Sequence, residues 1–230
     1  MIRFKHETWV SPTQMRFSIE GMRNPMNSWD KMDSYVYCDD DGAEAFNMGE
    51  ADFNLMKRLV KAGKDHRKFM RMIPIYVRIT APLYWWKEFD TYKVGTVANS
   101  CSTMHKIQEK EFTLEDFSFE HILDDSAWLA DDGNLIGELL LTLNEARDNF
   151  LETKDKKYWW QMIQLLPSSY NQTRNVMMNY EVLANIYHSR KNHKLDEWRD
   201  FCKWIENLPY AELITGEELV SETDNFDVRR

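Results

Sequence analysis

Two arginines in one stretch of this chain, and Lys93 upstream, are side chains able to hold an anion. Arg190 closes the run LLPSSYNQTRNVMMNYEVLANIYHSR, residues 165–190, with Lys191 and Lys194 just beyond it, and Arg174 lies inside the run. A guanidinium can give a phosphate or carboxylate two parallel charge-assisted hydrogen bonds, each worth about 1.5–3 kcal/mol net. The bland alternative for Arg190 is a solvated cation favoured by the dipole at a helix C-terminus. Asn99-Ser100-Cys101-Ser102 is a polar turn by composition; capping a helix is its ordinary role, and its backbone amides are further anion donors. Cys101 becomes a candidate nucleophile if a helix brings His105, four residues on, to the same face; otherwise it is a small apolar filler. Lys87-Glu88 lies inside an aromatic run, where such a pair is more often an exposed ion pair than a catalytic one. His66 and His105 lack a third ligand at metal spacing, so no metal site is expected. The absence of G-x-G-x-x-G and G-x-x-x-x-G-K-S/T argues against a Rossmann or P-loop reading.

The elements that must position these residues follow from periodicity. IRFKHETWV alternates apolar and polar residues and predicts an early strand. Gly21 to Gly42, with Asn24-Pro25, Asn27-Ser28 and the acidic run Asp39 to Asp41, reads as a long loop. Glu50 to Ala62 has helical spacing at Phe53, Leu55, Met56, Leu59 and Val60, with Gly63 as its stop. Ile73 to Ile79 alternates β-branched residues and predicts a strand. Ala81-Pro82 opens an aromatic helix over Leu83 to Phe89. Leu114 to Leu129 reads as helical in pieces, and Asn134 to Thr153 as an amphipathic helix with Leu135, Leu139, Leu143, Ala146 and Phe150 on one face. Helices are expected at Lys156 to Leu165, Val176 to Ser189 and Leu195 to Leu208, with a break at Pro209. The chain is expected to form a single domain over 1–210 followed by an acidic tail, 211–230.

Composition narrows the function classes. At 230 residues, 43% hydrophobic and 29% charged, the chain is long enough and apolar enough for a substantial core. Its nine Trp, ten Tyr, twelve Phe and thirteen Met exceed the usual need of a small core, so some are expected in pockets or subunit contacts. A formal charge of −9 opposes bulk nucleic-acid binding, so a bound phosphate needs locally focused cations. Three widely spaced cysteines, Cys38, Cys101 and Cys202, indicate neither a disulfide framework nor a thiolate metal site, and fit a reducing cytoplasm. No apolar run approaches the roughly 18 residues of a membrane span, so no membrane association is expected.

Two stretches carry a family likeness. The stretch 165–190 resembles the substrate-binding helix region of flavin-dependent thymidylate synthases, roughly LP-x-x-x-Y-T, a variable stretch, then N-x-x-S/E-L-x-N-F/I-x-x-x-R. Leu166, Pro167, Asn179, Leu183, Asn185 and Arg190 fall in step with that pattern without a gap. Upstream, the family reads approximately K-H-G-H-x-x-x-F-E-H, an alternating strand, A-P-I-x-x-x-R-Q-W-x-R-H-R, seven residues and a serine. Here Lys61, Gly63, Ala81, Pro82 and Lys87 align, with Phe89 at the tryptophan position and a one-residue insertion before the strand ends. Together the two stretches resemble the family weakly over most of residues 50 to 208.

The same register marks where the chain departs from the pattern. Thr91, Tyr92 and Lys93 stand at R-H-R, and Asn99 with Ser102 meets the N-x-x-S spacing if one residue is inserted. Met104 then replaces an arginine that grips the nucleotide, Glu88 replaces a Gln, and Glu181 replaces an arginine that touches flavin. A carboxylate accepts only, so Glu88 would change the preference for a pyrimidine edge.

The resemblance implies an α/β (α+β) fold with a mainly antiparallel sheet flanked by helices, a helical C-terminal half, and a homotetramer with active sites between subunits. It implies FAD as cofactor, reduced by NADPH, with methylenetetrahydrofolate supplying the carbon that converts dUMP to dTMP. Carried over by position, Arg190 and Arg174 would hold the phosphate, and Ser102 and Glu88 would meet the nucleotide. Lys93, Asn99, Asn179 and Tyr92 would face the flavin. The altered signature leaves open an alternative, a catalytically silent nucleotide-binding or scaffold protein that keeps the fold.

Overall fold

A computed structural model describes residues 1–122 and 135–216 of the chain. Strands and helices alternate irregularly in a mixed α/β architecture with antiparallel pairing. The chain divides into two compact units. The first comprises Met1–His6, Val77–Thr91 and Ala98–Val176; the second comprises Glu7–Tyr76, Tyr92–Val97 and Met177–Arg230.

The first unit holds most of a four-stranded sheet in the order β1-β4-β6-β5, built from β1 (Arg3–Thr8), β4 (Pro74–Pro82), β5 (Val97–Ser100) and β6 (Asn171–Asn179). In β4 the residues Ile75, Val77, Ile79 and Ala81 are buried while Tyr76 and Arg78 are exposed, the period of two that the sequence predicts for a half-buried strand. The predicted aromatic helix is α3 (Leu83–Phe89), with Pro82 as its N-cap residue. Its first two amides, at Leu83 and Tyr84, donate to the carbonyls of Tyr170 and Ser168, both at 3.0 Å. The Ala81-Pro82 motif and the Leu166–Tyr170 loop are thus joined through backbone. Trp85, Trp86 and Phe89 are fully buried and pack ring on ring at 4.8–5.3 Å.

Downstream, α4 (Thr103–Lys106) is a single turn, and α5 (Leu135–Thr153) packs on α6 (Lys156–Leu165). Their shared core is Leu143, Ala146 and Met162 with Ile107, Phe112 and Phe117, and Leu139 and Phe150 border it. Leu135, expected on the same stripe, is exposed. In 114–122 only Leu114–Asp116 is helical, as a 3-10 turn; the remainder of the predicted segment to Leu129 lies outside the described residues.

In the second unit, α1 (Pro12–Arg23) was not anticipated. Its signal is a capping box: the Ser11 hydroxyl accepts from the Gln14 amide at 3.3 Å and the Gln14 side chain accepts from the Ser11 amide at 2.9 Å. The predicted loop of 21–42 is therefore corrected. Helix α1 runs into it, and β2 (Tyr35–Cys38) pairs antiparallel with β3 (Glu44–Asn47). The acidic run makes the hairpin turn, where the Asp39 carboxylate accepts from the amides of Asp41 and Ala43 at 3.1 and 2.8 Å. The predicted helix of 50–62 is α2 (Glu50–Lys61).

The unit's core is formed by α7 (Tyr180–Arg190), α8 (Asp196–Glu206) and α9 (Glu212–Thr215). Helix α7 buries Tyr180, Val182, Leu183, Ala184, Ile186 and Tyr187, covering nearly its whole circumference. The expectation of helix from Val176 is corrected: residues through Asn179 are strand, and Val176 and Met178 alternate with less buried neighbours. Asn179 ends the strand by capping the helix, its Oδ1 accepting from the Val182 amide at 3.0 Å. The tail beyond 216 lies outside the described residues.

Candidate functional site

The candidate residues fall into two groups, one in each unit. Glu88, Asn99, Ser102 and Arg174 belong to the first, and Tyr92, Lys93, Asn179 and Arg190 to the second.

In the first unit Arg174 projects from β6 onto α3. Its guanidinium lies 4.2 Å from the centre of the Trp86 ring, its Nε donates to Gln172 Oε1 at 2.9 Å, and its Nη1 donates to Asp90 Oδ1 at 2.6 Å. Gln172 is itself fixed, because its backbone carbonyl accepts from Trp86 Nε1 at 2.9 Å and its Nε2 donates to the Cys101 carbonyl at 3.1 Å. A buried indole, a buried amide and a carboxylate therefore hold one planar cation in one orientation. The side chain is 15% exposed, so its attraction for an anion is screened less than at an open surface. Among the described residues nothing bonds to Nη2, which keeps two hydrogens for a ligand.

The turn after β5 behaves as its composition suggests. The Ser102 hydroxyl accepts from the His105 amide at 3.1 Å and caps α4. Since α4 starts at Thr103, Cys101 precedes it, and the helical argument for pairing Cys101 with His105 does not hold. The Cys101 amide instead donates to the Thr173 carbonyl at 2.9 Å, extending the β5–β6 pairing to beside Arg174. Asn99 is exposed within β5 and Glu88 is half-buried near the end of α3.

In the second unit Arg190 ends α7. Its Nε donates to the Tyr92 hydroxyl at 2.9 Å, and its guanidinium lies 4.8 Å from the Trp198 ring centre, with Trp198 and Tyr92 edge to face at 5.9 Å. Arg190 is thus seated on an aromatic corner, where cation–π attraction contributes about 0.5–2 kcal/mol. Lys93 is exposed and opens the turn in which the Thr96 amide donates to the Lys93 carbonyl at 3.4 Å. Gly95 in that turn has φ +79°, and a Cβ there would stand 3.0 Å from both Asn179 Nδ2 and Val182 Cγ2. Glycine permits both the left-handed backbone and the close approach of the α7 cap.

Glu181 takes no part in a surface patch. It is buried against Arg67, whose Nη2 donates to Oε1 at 3.2 Å while Nε makes a close charge contact with Oε2 at 2.8 Å. The acidic replacement is thus neutralised inside the unit.

The chemistry of these donors can be set against the flavin that the resemblance implies. Thr91 Oγ1 donates to the Glu88 carbonyl at 2.7 Å, the Tyr92 hydroxyl is taken by Arg190, and Glu181 is taken by Arg67. At the positions assigned to flavin, the unburied cation is Lys93 alone. A dinucleotide diphosphate asks for several convergent cations or amides, of which this set supplies the Lys93 cation. The anion chemistry of this chain therefore rests on its two seated arginines.

The partners that fix the two arginines, Trp86, Gln172, Asp90 and Trp198, escaped the sequence reading. Spacing carries a signal for the pairs Trp86–Asp90 and Gln172–Arg174, though not for the contact between the pairs. Trp86 and Asp90 are four apart at the end of one helix, and Gln172 and Arg174 are two apart on one face of a strand. Among the described residues there is no cluster of three or more His, Cys, Asp or Glu that could hold a metal, and no helix long and apolar enough to cross a membrane.

No family model matches the sequence, and no curated protein is similar to it at a significant level. Solved structures do match. Thymidylate Synthase X (ThyX) from Helicobacter pylori with FAD and dUMP gives a TM-score of 0.62 at 18% identity, covering 94% of this chain and 98% of that one. A second structure of the H. pylori flavin-dependent enzyme, complexed with the same ligands, gives 0.59 at 18% identity and the same coverage. The UMP/dUMP methylase PolB from Streptomyces cacaoi, bound with 5-Br dUMP, gives 0.54 at 11% identity over 94% of each chain. The chain has the fold of thymidylate synthase X.

Proposed function

We propose that this chain is a divergent relative of the flavin-dependent thymidylate synthases that binds a pyrimidine nucleoside monophosphate. The observation that carries the reading is the seating of both candidate arginines on indole rings, Arg174 on Trp86 and Arg190 on Trp198. An arginine held flat by an aromatic ring and a hydrogen bond loses little further freedom on meeting a phosphate. In a chain of net charge −9 these local cations are what an anionic ligand requires. The likeness to solved structures that hold dUMP or 5-Br dUMP supports the base class.

The full reaction on this reading is flavin-dependent methylation of dUMP to dTMP, with NADPH and methylenetetrahydrofolate as co-substrates. A bound flavin would supply the hydride chemistry; the chain's own part would be to orient the nucleotide by its phosphate on a seated arginine, either Arg174, with Ser102 and Glu88 near the base or sugar, or Arg190. A second reading, nucleotide binding without catalysis, is favoured by Tyr92 and Glu181, whose hydroxyl oxygen and carboxylate are engaged by Arg190 and Arg67. A thermal-shift screen with dUMP, dCMP, FAD, FMN and folate separates the two, since a ligand of the folded state raises its stability by mass action. Stabilisation by dUMP together with FAD retention and dTMP formation supports the enzyme. Stabilisation by dUMP with colourless protein supports the silent binder, and no shift with either nucleotide refutes the proposal.

A further inference from the structure

We propose that Asp90 is a built-in competitor for the anion that Arg174 binds, so that its carboxylate sets how tightly this chain holds a phosphate; this rests on the nucleotide-binding reading above. Asp90 is the C-cap residue of α3, its amide donating to the Trp86 carbonyl at 2.8 Å. A negative charge at a helix C-terminus faces the unfavourable end of the dipole, so α3 itself gives no reason for a carboxylate there. What holds the charge is Nη1 of Arg174 at 2.6 Å.

The two partners differ in freedom. The Asp90 side chain is 50% exposed, whereas Arg174 is 15% exposed and fixed by Gln172 and the face of Trp86. The cation is therefore stationary and the carboxylate can swing into water. A phosphate dianion approaching Nη2 would meet the Asp90 charge on the same guanidinium, and like charges at that separation repel. The phosphate gains Nη1 as well as Nη2 when Asp90 leaves, giving the bidentate geometry that guanidinium favours. Asp90 thus occupies the site in the free protein as a carboxylate stand-in for a phosphate oxygen. It disfavours weak or singly charged anions more than a phosphate.

The test uses the full chain with calorimetric titration of dUMP, and of deoxyuridine as the phosphate-free probe. Asp90→Asn keeps an acceptor beside Nη1 and a tolerated C-cap residue while removing the charge. The expected result is about 2- to 5-fold tighter dUMP binding, the equivalent of losing a partly exposed ion pair. Deoxyuridine affinity stays unchanged, and the gain disappears in Arg174→Ala/Asp90→Asn. Binding by Asp90→Asn where the native chain shows none also supports the proposal. Native binding of dUMP with Asp90→Asn equal or weaker overturns the role of Asp90 and leaves the nucleotide reading standing, as does equal tightening toward deoxyuridine. Binding by neither protein, both with native melting curves, overturns the two together.

Discussion

Replacing Arg67 by methionine should unfold this protein more readily than almost any other single change of a charged residue. Arg67 and Glu181 are a buried ion pair, with side chains 11% and 8% exposed, in contact through Nε–Oε2 at 2.8 Å and Nη2–Oε1 at 3.2 Å. Methionine fills most of the arginine's volume, so little cavity forms, but it strands the Glu181 carboxylate away from water. Breaking a buried pair from one side costs about 3–5 kcal/mol, because the remaining charge loses its compensation. For a chain of this length each kcal/mol lowers the melting midpoint by about 2–4 °C, so a loss of roughly 6–20 °C is expected. Removing both charges, in Arg67→Met/Glu181→Leu, should restore most of it, to within about 1 kcal/mol of the native chain. Thermal and urea unfolding followed by circular dichroism reads both variants, and the double-mutant cycle isolates the pair. Midpoints of Arg67→Met within about 2 °C of native, less than 1 kcal/mol would give, or a double variant no better than the single one, would refute the argument that Glu181 is internally neutralised.

Further outcomes follow from the same contacts. Asn179→Ala removes the α7 cap and should cost about 1 kcal/mol, recovered by Asn179→Asp or Asn179→Ser in the same melts. Gly95→Ala combines a positive φ with two 3.0 Å contacts and should cost about 1–2 kcal/mol, more than an alanine at exposed Val94. Burial pushes the Cys202 thiol up to about 12, with Glu206 adding to the effect and Lys191 opposing it. A raised folded-state value means that this contribution to stability is intact below about pH 9 and is lost as pH climbs toward 12, which pH-dependent urea midpoints of Cys202→Ala against native will show. At about pH 8, near the ordinary thiol range, a thiol reagent should label exposed Cys38 and Cys101 quickly and leave buried Cys202 until the protein unfolds; fast labelling of three thiols would contradict it.

Much of the architecture was readable from periodicity, for reasons tied to particular residues. The strand at Ile75 to Ala81 and the helices from Leu83, Leu135 and Lys156 announce themselves because each has one buried face and one wet one. The segment from Val176 misled because α7 is buried nearly all round, so its apolar residues continue those of the preceding strand without a change of rhythm. Only Asn179, as a cap, marks the junction. Helix α1 hid behind its short polar start, although Ser11-Pro12 with Gln14 spelled the cap.

The candidate arginines were legible from type, spacing and resemblance, and the likeness in fold extends over 94% of the chain. What makes each arginine a held cation was not legible, since Trp198 is reached only through the packing of α8 on α7, and Asp90 only through β6 meeting α3. The departures at Tyr92 and Glu181 likewise acquire meaning from their partners Arg190 and Arg67, which no linear spacing connects.

The most direct test of the central claim is calorimetric titration of dUMP and deoxyuridine into the native chain, Arg174→Ala and Arg190→Ala. The account predicts that the native chain prefers dUMP. Loss of one charged hydrogen bond should weaken dUMP by roughly 10- to 150-fold where the substituted arginine holds the phosphate, while deoxyuridine changes little. Native protein that binds both ligands equally, or dUMP affinity untouched by either substitution, would contradict it.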